Sequence, residues 1–247
     1  MVVAVAIEPC APEVHDVLSR IPEWWERRAA AVGLPPEWHA WELALDRSPI
    51  AIEEGVPRLL QESPHELGEA YVDALDPATR LQHGRHYTPA PLAEALWSEV
   101  LAVASGDGTV VDPAAGAGAL LIPPLRRYVQ SARDPVEAMR DVSARFGGTD
   151  LDPIAVWLGN ALLAAELLPL WSRLPPRERE PLPRLLRVGD GLVPARDRPQ
   201  TIVMNPPYGR VRLSSDARVR WHPTLYGHAN RYALFLQAAI ERVRPGG

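Results

Sequence analysis

The chain has 247 residues, enough for one large domain or for a medium domain and a small one. Its apolar content of 47% is ordinary for a globular protein, and no uninterrupted apolar run is long enough to cross a membrane. The single cysteine, Cys10, excludes an internal disulfide framework and a multi-cysteine metal site. The opening residues lack the basic leader of a secretory signal, so we expect a cytoplasmic protein without a structural metal.

The net charge of −5 argues against a nucleic-acid partner, because nucleic-acid-binding domains tend to be basic. The charge is unevenly distributed, however, and all 26 basic residues are arginines. Four of them, opposed only by Asp216, lie within one short segment: Arg210, Arg212, Arg218 and Arg220. The planar guanidinium group suits phosphate, so this segment is a candidate DNA-binding surface. Genomic base composition is the simpler explanation for the absence of lysine, but it explains the clustering less well.

Residues 1–80 are predicted to form a helical N-terminal segment, because prolines recur at intervals that suit the first turns of short helices. Four tryptophans crowd this segment: Trp24, Trp25, Trp38 and Trp41. Such residues could offer a stacking surface, but the core of a small bundle is their more common role, and we predict that role here. Without a lysine, a nuclease centre of the acid-acid-lysine kind is not expected in this segment.

In residues 81–247 the pattern changes to alternating strands and helices. The predicted strands are residues 109–111, a second strand ending at Asp150, residues 185–188 and residues 201–204; the predicted helices are residues 119–130, 153–168 and 232–243. Residues 169–184 are rich in proline and arginine and are predicted to form an exposed connection. Strands that alternate with helices of this length indicate an α/β fold with a doubly wound, mainly parallel sheet.

Each predicted strand ends in a polar side chain: Asp112, Asp150, Asp190 and Asn205. Aspartate and asparagine are common in turns, so one such residue would carry little information. In an open α/β sheet, however, ligands bind at the carboxyl ends of the strands, where all four side chains are expected. We therefore predict a ligand-binding site at this edge of the sheet.

The turn after the first strand reads Asp112-Pro113-Ala114-Ala115-Gly116-Ala117-Gly118, and its glycines allow the backbone to approach a ligand closely. It lacks the Walker lysine and the third glycine of dinucleotide-binding turns, which disfavours a nucleotide-phosphate site. A carboxylate at the end of the second strand, Asp150, is placed to accept hydrogen bonds from both hydroxyls of a ribose. The two features together predict an adenosyl-containing ligand without identifying it.

Asn205-Pro206-Pro207-Tyr208 follows the fourth strand and resembles the D/N/S-P-P-Y/F/W motif of amino-methyltransferases. An exocyclic amine on a ring is a poor nucleophile, because its lone pair is delocalised. If the Asn205 side-chain oxygen and the Pro206 carbonyl accept hydrogen bonds from its two N–H groups, the nitrogen moves toward sp³ geometry and its lone pair becomes available for attack. Successive prolines hold that carbonyl rigidly, and Tyr208 offers a face for ring stacking. The alternative is that these four residues form a proline turn after the strand and have no catalytic role.

Residues 67–247 resemble, in motif content and order, the γ-class S-adenosylmethionine-dependent adenine-N6 DNA methyltransferases of restriction-modification systems. The matching stretches are Leu67–Tyr71, Gly84–Pro89, Asp112–Gly118, Thr149–Pro153, Gly189–Leu192, the Asn205 quartet, Tyr232–Leu236 and Arg244–Gly247. The resemblance implies a class I methyltransferase domain of the Rossmann-like kind, S-adenosylmethionine as cofactor and DNA as substrate. A base inside a duplex cannot reach such a site, so the target adenine must be extruded.

The resemblance also implies the roles of individual residues. The catalytic set is Asn205, Pro206, Pro207 and Tyr208. The cofactor-binding set is Tyr87, Thr88, Asp112, Ala114, Gly116, Gly118, Asp150, Leu151, Asp190, Gly191, Pro207 and Phe235. Within it, Tyr87 and Thr88 border the methionine end, Asp150 holds the ribose and Asp190 meets the adenine amine, while Leu151, Pro207 and Phe235 line the adenine pocket. The family often has phenylalanine in place of Gly191, so a more open adenine pocket is expected there.

Three other functions stay open. A release-factor type protein glutamine methyltransferase also has Asn-Pro-Pro-Tyr and a small helical N-terminal domain, but its first motif usually reads Asp-Leu-Gly-x-Gly-x-Gly and it lacks Tyr-Thr-Pro. A guanine-N2 RNA methyltransferase is the next alternative. The last is a non-catalytic DNA-binding subunit, against which the intact Asn205 quartet argues.

The chain ends at Gly247, where a fifth strand is expected. We therefore expect the methyltransferase domain to be truncated before its last strands. Target recognition is expected to lie in a downstream region or on a second chain, and we expect no membrane partner.

Overall fold

The structure is a computed structural model that describes residues 11–41, 48–49, 62–78, 80, 86–104, 108–193, 198–221 and 229–247. Cys10 and the Gly84-Arg85 pair of the motif that contains Thr88 lie outside the described residues.

Three short helices occur in the N-terminal part that the structure describes: α1 (Pro12–Leu18), α2 (Ile21–Ala31) and α3 (Pro64–Ala74). Each has a proline in its first turn, where the missing N–H costs no helical hydrogen bond. α3 begins with a capping box, in which Ser63 and Glu66 exchange hydrogen bonds between side chain and backbone. The predicted helical N-terminal segment is therefore present.

The tryptophans of this segment are core residues, as predicted, but the core is not that of a separate small bundle. Trp24 and Trp25 of α2 are fully buried. The rings of the two partly buried tryptophans make edge-on contacts, with centroid distances of 5.4 and 5.8 Å, in the pairs Trp38–Trp171 and Trp41–Trp157. Trp171 and Trp157 lie on a long helix of the sheet region, so the N-terminal helices and that region share one continuous core.

Four parallel strands form the sheet in the described residues, in the order β3-β2-β1-β4. Their bounds are β1 (Val110–Asp112), β2 (Phe146–Asp150), β3 (Leu186–Val188) and β4 (Thr201–Ile202). The helices are α4 (Ala90–Val103), α5 (Ile122–Ser131), α6 (Pro135–Arg145), α7 (Pro153–Ser172), α8 (Ser215–Arg220) and α9 (Arg231–Arg242). This is the predicted α/β class with a parallel sheet. The strand order reverses at β1, and open α/β sheets bind ligands outside the carboxyl ends at such a reversal.

Most predicted elements differ from the observed ones by a residue or more at an end, and two of these differences have a local cause. The helix predicted over residues 119–130 begins as a 3₁₀ turn, Ala119–Leu121, before α5. Pro123 and Pro124 occupy the first turn of α5, where their missing N–H groups are tolerated. The fourth strand was predicted over residues 201–204, but β4 ends at Ile202, because Val203 onward leads into the proline turn.

α7 is the central core helix of the protein. The Asp152 side chain caps its first turn by accepting a hydrogen bond from the Ile154 amide at 2.9 Å. By length and composition α7 could cross a membrane, although its apolar residues do not form one uninterrupted run. Within the fold, however, 78% of its most apolar window is buried, as in the core helix of a globular protein.

The predicted exposed connection at residues 169–184 is wrong in its first part. α7 continues past Pro169 to Ser172, and Leu170 and Trp171 are fully buried. The Trp171 indole also donates a hydrogen bond to the Glu180 carbonyl at 2.9 Å. A proline inside a helix removes one hydrogen bond, and burial of the large apolar side chains beyond it offsets that loss.

Candidate active site

An open cavity of about 1020 Å³ lies at the carboxyl ends of the strands, where the strand order reverses. Most of the predicted site residues line it: Tyr87, Thr88, Asp112, Ala114, Gly116, Asp150, Leu151, Asp190, Gly191, Asn205, Pro207 and Phe235. Of the predicted catalytic and cofactor-binding residues, three do not line it: Gly118, Pro206 and Tyr208. Residues from six separate segments of the chain therefore meet around one cavity.

The turn after β1 is built around Asp112, which is almost completely buried. Its Oδ1 accepts a hydrogen bond from the Ala114 amide at 2.9 Å. Burial raises the pKa of the Asp112 carboxyl to about 7; the Ala114 hydrogen bond opposes this rise, and the nearby Asp150 charge adds to it. Gly116 and Gly118 have φ angles of 51° and 81°, a left-handed backbone that favours glycine. Gly118 thus serves the turn without lining the cavity.

Asp150, at the end of β2, is fixed by two backbone amides. Its Oδ2 accepts from the Gly116 amide and its Oδ1 from the Asp152 amide, both at 2.9 Å. Each oxygen of a carboxylate can accept a second hydrogen bond, so Asp150 keeps capacity for a pair of hydroxyl donors. The first bond also joins the turn after β1 to the end of β2.

The loop after β3 packs tightly at Gly191. A Cβ placed on Gly191 would lie 1.7 Å from the Pro113 carbonyl oxygen and 3.0 Å from the Phe235 ring. The more open pocket expected at this position is therefore wrong, because the backbone of the neighbouring turn fills the space. Arg242, near the end of α9, holds the same loop by donating to the carbonyls of Gly191 and Leu192.

Helix α3 forms a wall of the cavity that the sequence analysis did not predict. Its Tyr71 lines the cavity and donates a hydrogen bond to Asp152 Oδ2 at 2.5 Å. A Cβ on Gly68 would lie 2.4 Å from the Tyr87 ring, so the ring packs directly against the helix backbone. A glycine inside an otherwise helical pattern was the available signal for such a close approach.

Buried His65, also on α3, holds the same tyrosine. Its Nδ1 lies 3.1 Å from the Tyr87 hydroxyl, within hydrogen-bonding distance. Burial lowers the pKa of His65, with a further contribution from the Arg126 charge, while Glu166 opposes the shift. Burial and the Glu69 charge raise the pKa of Tyr87. His65 and Tyr87 are therefore a neutral pair that orients a ring of the cavity wall.

The catalytic turn predicted after β4 is linked to the cavity through Asn205. Its side-chain Nδ2 donates a hydrogen bond to the Thr88 hydroxyl oxygen at 3.1 Å. The Tyr208 hydroxyl donates to Asn205 Oδ1 at 3.3 Å. Thr88 takes the amino group, and Oδ1, which has two lone pairs, keeps one of them for a ligand after the bond from Tyr208. Asn205 and Pro207 line the cavity, whereas the Tyr208 ring is about half exposed beside it.

The four arginines of the predicted DNA-binding segment are all exposed: Arg210, Arg212, Arg218 and Arg220. Arg210 forms an isolated antiparallel bridge with Asn230, which precedes α9. The Arg220 guanidinium lies over the Trp221 ring at 4.9 Å from its centroid. The segment is thus attached to the start of α9 and presents its charges to solvent.

In the part of the chain that the structure describes, no three His, Cys, Asp or Glu side chains are grouped to hold a metal ion. The cavity has further lining residues that the sequence analysis did not select, among them Val72, Leu75, His86, Ala155 and Arg231. Of these, Arg231 is the residue with a permanent charge, and its position at the start of α9 gave no motif by which to find it.

The known proteins that this chain matches are solved structures with a similar fold. No family model and no curated protein matches the chain. A protein described as a class I S-adenosylmethionine-dependent methyltransferase from Listeria monocytogenes is 16% identical, with a TM-score of 0.43 over 95% of this chain and 72% of its own. The protein in the cryoEM structure of the DrdV–DNA complex is 15% identical to this chain, with a TM-score of 0.50 over 74% of it.

A protein described as a modification subunit of a type I restriction enzyme from Vibrio vulnificus YJ016 is 19% identical, with a TM-score of 0.44 over 76% of this chain. The present chain spans 22% of the DrdV chain and 37% of the Vibrio subunit. At these identities the similarity concerns the fold. The fold is Rossmann-like. The described residues therefore have the α/β fold predicted for a class I methyltransferase, with a helical segment before it.

Proposed function

We propose that this protein transfers a methyl group from S-adenosylmethionine to the N6 amine of an adenine extruded from DNA. The observation that carries the proposal is the hydrogen bond from Asn205 Nδ2 to Thr88, because it leaves Oδ1 as the acceptor of an amide that lines the cavity. Asp150 and Asp190 line the same cavity, so a nucleoside site and an amine acceptor adjoin each other. Such adjacency is what direct transfer between two bound molecules requires.

The residues around the cavity fit the proposed cofactor. Asp150 keeps acceptor capacity for the two ribose hydroxyls after its two backbone hydrogen bonds are counted. A Cβ on cavity-lining Gly116 would meet no atom within 4 Å, so the turn leaves room for a ligand at that point. Asp190, whose Oδ1 accepts from the Leu192 amide at 2.9 Å, is assigned to the adenine amine, and Phe235 to the adenine ring. Tyr87 and Thr88 are assigned to the methionine end.

The chemistry required of the protein is activation of the target amine. S-adenosylmethionine, when bound, would supply an electrophilic methyl group and leave as S-adenosylhomocysteine, and the methylated amine would then lose its extra proton to solvent. Asn205 Oδ1 and the Pro206 carbonyl accept hydrogen bonds from the two N–H groups of the amine. These bonds draw the nitrogen lone pair out of the ring and toward the methyl group. Both acceptors are fixed before the substrate arrives, the first by Thr88 and the second by consecutive prolines, so no reorganisation is needed during transfer.

The adenine-N6 assignment goes beyond the amine chemistry itself, which also suits glutamine and guanine. The Tyr87-Thr88-Pro89 and Asp112-Pro113 elements favour adenine, and the DrdV–DNA complex, which is similar in fold, favours DNA over protein. We assign the exposed arginine segment to the DNA backbone. We also propose that target recognition is supplied by a downstream region or a second chain, and that the protein is cytoplasmic, with no membrane partner.

Radiolabelled methyl transfer to DNA, RNA and protein acceptors, followed by analysis of the methylated nucleoside, tests the proposal. We expect N6-methyladenine from DNA, loss of activity in Asn205→Ala, and retained activity in Asn205→Asp, which keeps an oxygen acceptor. Calorimetry should give the same S-adenosylmethionine affinity for all three proteins. Methylation confined to protein glutamine or to RNA would refute the proposal that DNA is the substrate. Full activity of Asn205→Ala would refute the proposal that Asn205 activates the amine.

A further inference from the structure

Three aromatic rings lie in a row on the surface beside the cavity. The Tyr208 ring lies between the other two, with centroid distances of 6.2 Å to His86 and 6.4 Å to Tyr232. Tyr208 is 52% exposed and Tyr232 is 43% exposed. We call His86, Tyr208 and Tyr232 the aromatic row. The rings are tilted to one another, by 63° for His86–Tyr208 and by 42° for Tyr208–Tyr232, so each ring offers a separate exposed face. Adjacent exposed rings of this kind mark a binding surface, and each face can stack on a planar ligand.

The backbone fixes the aromatic row at the catalytic turn. The Arg231 amide donates to the Gly209 carbonyl at 3.0 Å, and the Val211 amide donates to the Ala229 carbonyl at 2.9 Å. These bonds join the start of α9, and therefore Tyr232, to the segment directly after Tyr208. At the other end of the row, His86 precedes Tyr87 and Thr88, whose hydroxyl holds Asn205. The row is thus joined at one end to the segment after the catalytic turn, and at the other end it adjoins the segment whose Thr88 holds the acceptor amide.

The charges around the aromatic row indicate the chemistry of its occupant. Arg231, next to Tyr232 in the chain, lines the cavity, and exposed Arg210 pairs with the backbone at Asn230. Guanidinium groups that flank exposed aromatic rings suit a molecule that has both a planar ring and a phosphate. A nucleotide outside its base stack has both, whereas a glutamine side chain on a protein has neither.

We propose that Tyr232 is a base-contacting residue, and that Tyr208 and Tyr232 together hold an unpaired nucleotide at the mouth of the cavity. The inference rests on the proposed function and specifies how its substrate is held. Asn205 then contacts the amine of the base, Tyr208 and Tyr232 contact ring faces, and the flanking arginines contact phosphate. Stacking is tolerant of base identity, so Tyr232 contributes affinity for extruded or single-stranded DNA without selecting a sequence.

The test compares three variants of the full chain in binding to fluorescein-labelled, short single-stranded DNA. Tyr232→Ala removes the ring, Tyr232→Phe keeps it, and Leu236→Ala is the matched control. Leu236 lies one turn further along α9 and is 50% exposed, but it is outside the aromatic row. We expect Tyr232→Ala to raise the Kd about tenfold, and the other two variants to bind like the wild type. Thermal denaturation and S-adenosylmethionine calorimetry should be unchanged in all three.

The outcomes separate this inference from the proposed function. If the wild type binds the DNA and Tyr232→Ala alone binds weakly, the inference holds even if no acceptor is methylated. If the wild type methylates DNA but Tyr232→Ala matches Leu236→Ala in Kd and KM, the inference is overturned while the proposed function stands. Absence of single-stranded DNA binding by the wild type also overturns it.

Discussion

The Asn205 amide donates a hydrogen bond to the Thr88 hydroxyl at 3.1 Å, although 117 residues separate the two in the chain. One residue belongs to a segment before the first strand and the other to the turn after the fourth. Their contact sets the orientation of the amide whose oxygen would accept the substrate amine. A substitution at Thr88 can therefore affect the chemistry of the turn as well as cofactor binding.

We expect Thr88→Val to slow methyl transfer by about two- to tenfold, the effect of a hydrogen bond worth roughly 0.5–1.5 kcal/mol. Valine has the shape of threonine but cannot accept from Asn205, whereas Thr88→Ser keeps the hydroxyl. Single-turnover methyl transfer with saturating S-adenosylmethionine measures the effect separately from cofactor affinity. Equal rates for the valine and serine variants would show that the hydrogen bond does not position Asn205.

We expect Gly191→Ala to abolish high-affinity cofactor binding and to destabilise the fold by about 1–3 kcal/mol or more. The added Cβ would lie 1.7 Å from the Pro113 carbonyl oxygen, so the loop after β3 and the turn after β1 must separate. Gly147→Ala is the control, because a Cβ there would be 3.8 Å from its nearest neighbour, the Leu185 carbonyl oxygen. Urea denaturation and calorimetry measure both effects, and wild-type cofactor affinity in Gly191→Ala would contradict the prediction.

The contact between Gly68 and Tyr87 can be tested with a double-mutant cycle. We expect Gly68→Ala to lower stability and cofactor affinity in the wild type but to be nearly neutral in a Tyr87→Leu background. The reason is that the clash is with the tyrosine ring, which a Cβ on Gly68 would approach to 2.4 Å. Residues in contact typically show coupling energies of about 0.5–3 kcal/mol. Additive effects in urea denaturation would show that the alanine acts through the helix instead.

The raised pKa of Asp112 predicts a pH dependence of stability. Its pKa is about 7 in the fold against 3.8 for the ordinary carboxyl, so the folded state binds the proton more tightly. The protonated Asp112 carboxyl therefore contributes its full stabilisation of the fold below about pH 4, and this stabilisation is lost as the pH rises to about 7. Asp112→Asn should remove this loss, giving a variant more stable than the wild type at pH 8 by up to a few kcal/mol, at about 1.4 kcal/mol per pKa unit. Denaturant titrations between pH 4 and 8 measure the difference, and a constant difference across that range would refute the prediction.

We expect charge reversal of Arg210 and Arg212 to weaken DNA binding and to flatten its dependence on salt. Each lost phosphate contact should reduce the slope of log K against log salt by about 0.9. The double variant Arg127→Glu/Arg133→Glu is the control, because both residues are exposed outside this segment and the change in net charge is the same. Fluorescence anisotropy at several salt concentrations measures both quantities. Unchanged slopes in the double variant would exclude this segment as the phosphate-binding surface.

The strand ends were predictable from sequence because the signal is local. A short β-branched run followed by aspartate or asparagine identifies β1, and in a parallel sheet the ends of such runs meet at one edge. This reasoning correctly brought Asp112, Asp150, Asp190 and Asn205 to a common cavity. The end of α7 was less predictable, because the residues after Pro169 stay helical through the burial of Leu170 and Trp171, which the local sequence does not indicate.

By itself, the sequence determined the class of the fold and the identity of the polar groups at the strand ends, since both follow from the order of residues along each segment. Tertiary structure alone decided that α3 supplies a wall of the cavity, that Gly191 is closed by Pro113, and that Thr88 orients Asn205. These contacts join residues tens of positions apart through backbone shape and side-chain packing. No local pattern encodes such distances, so only the folded chain brings these residues together.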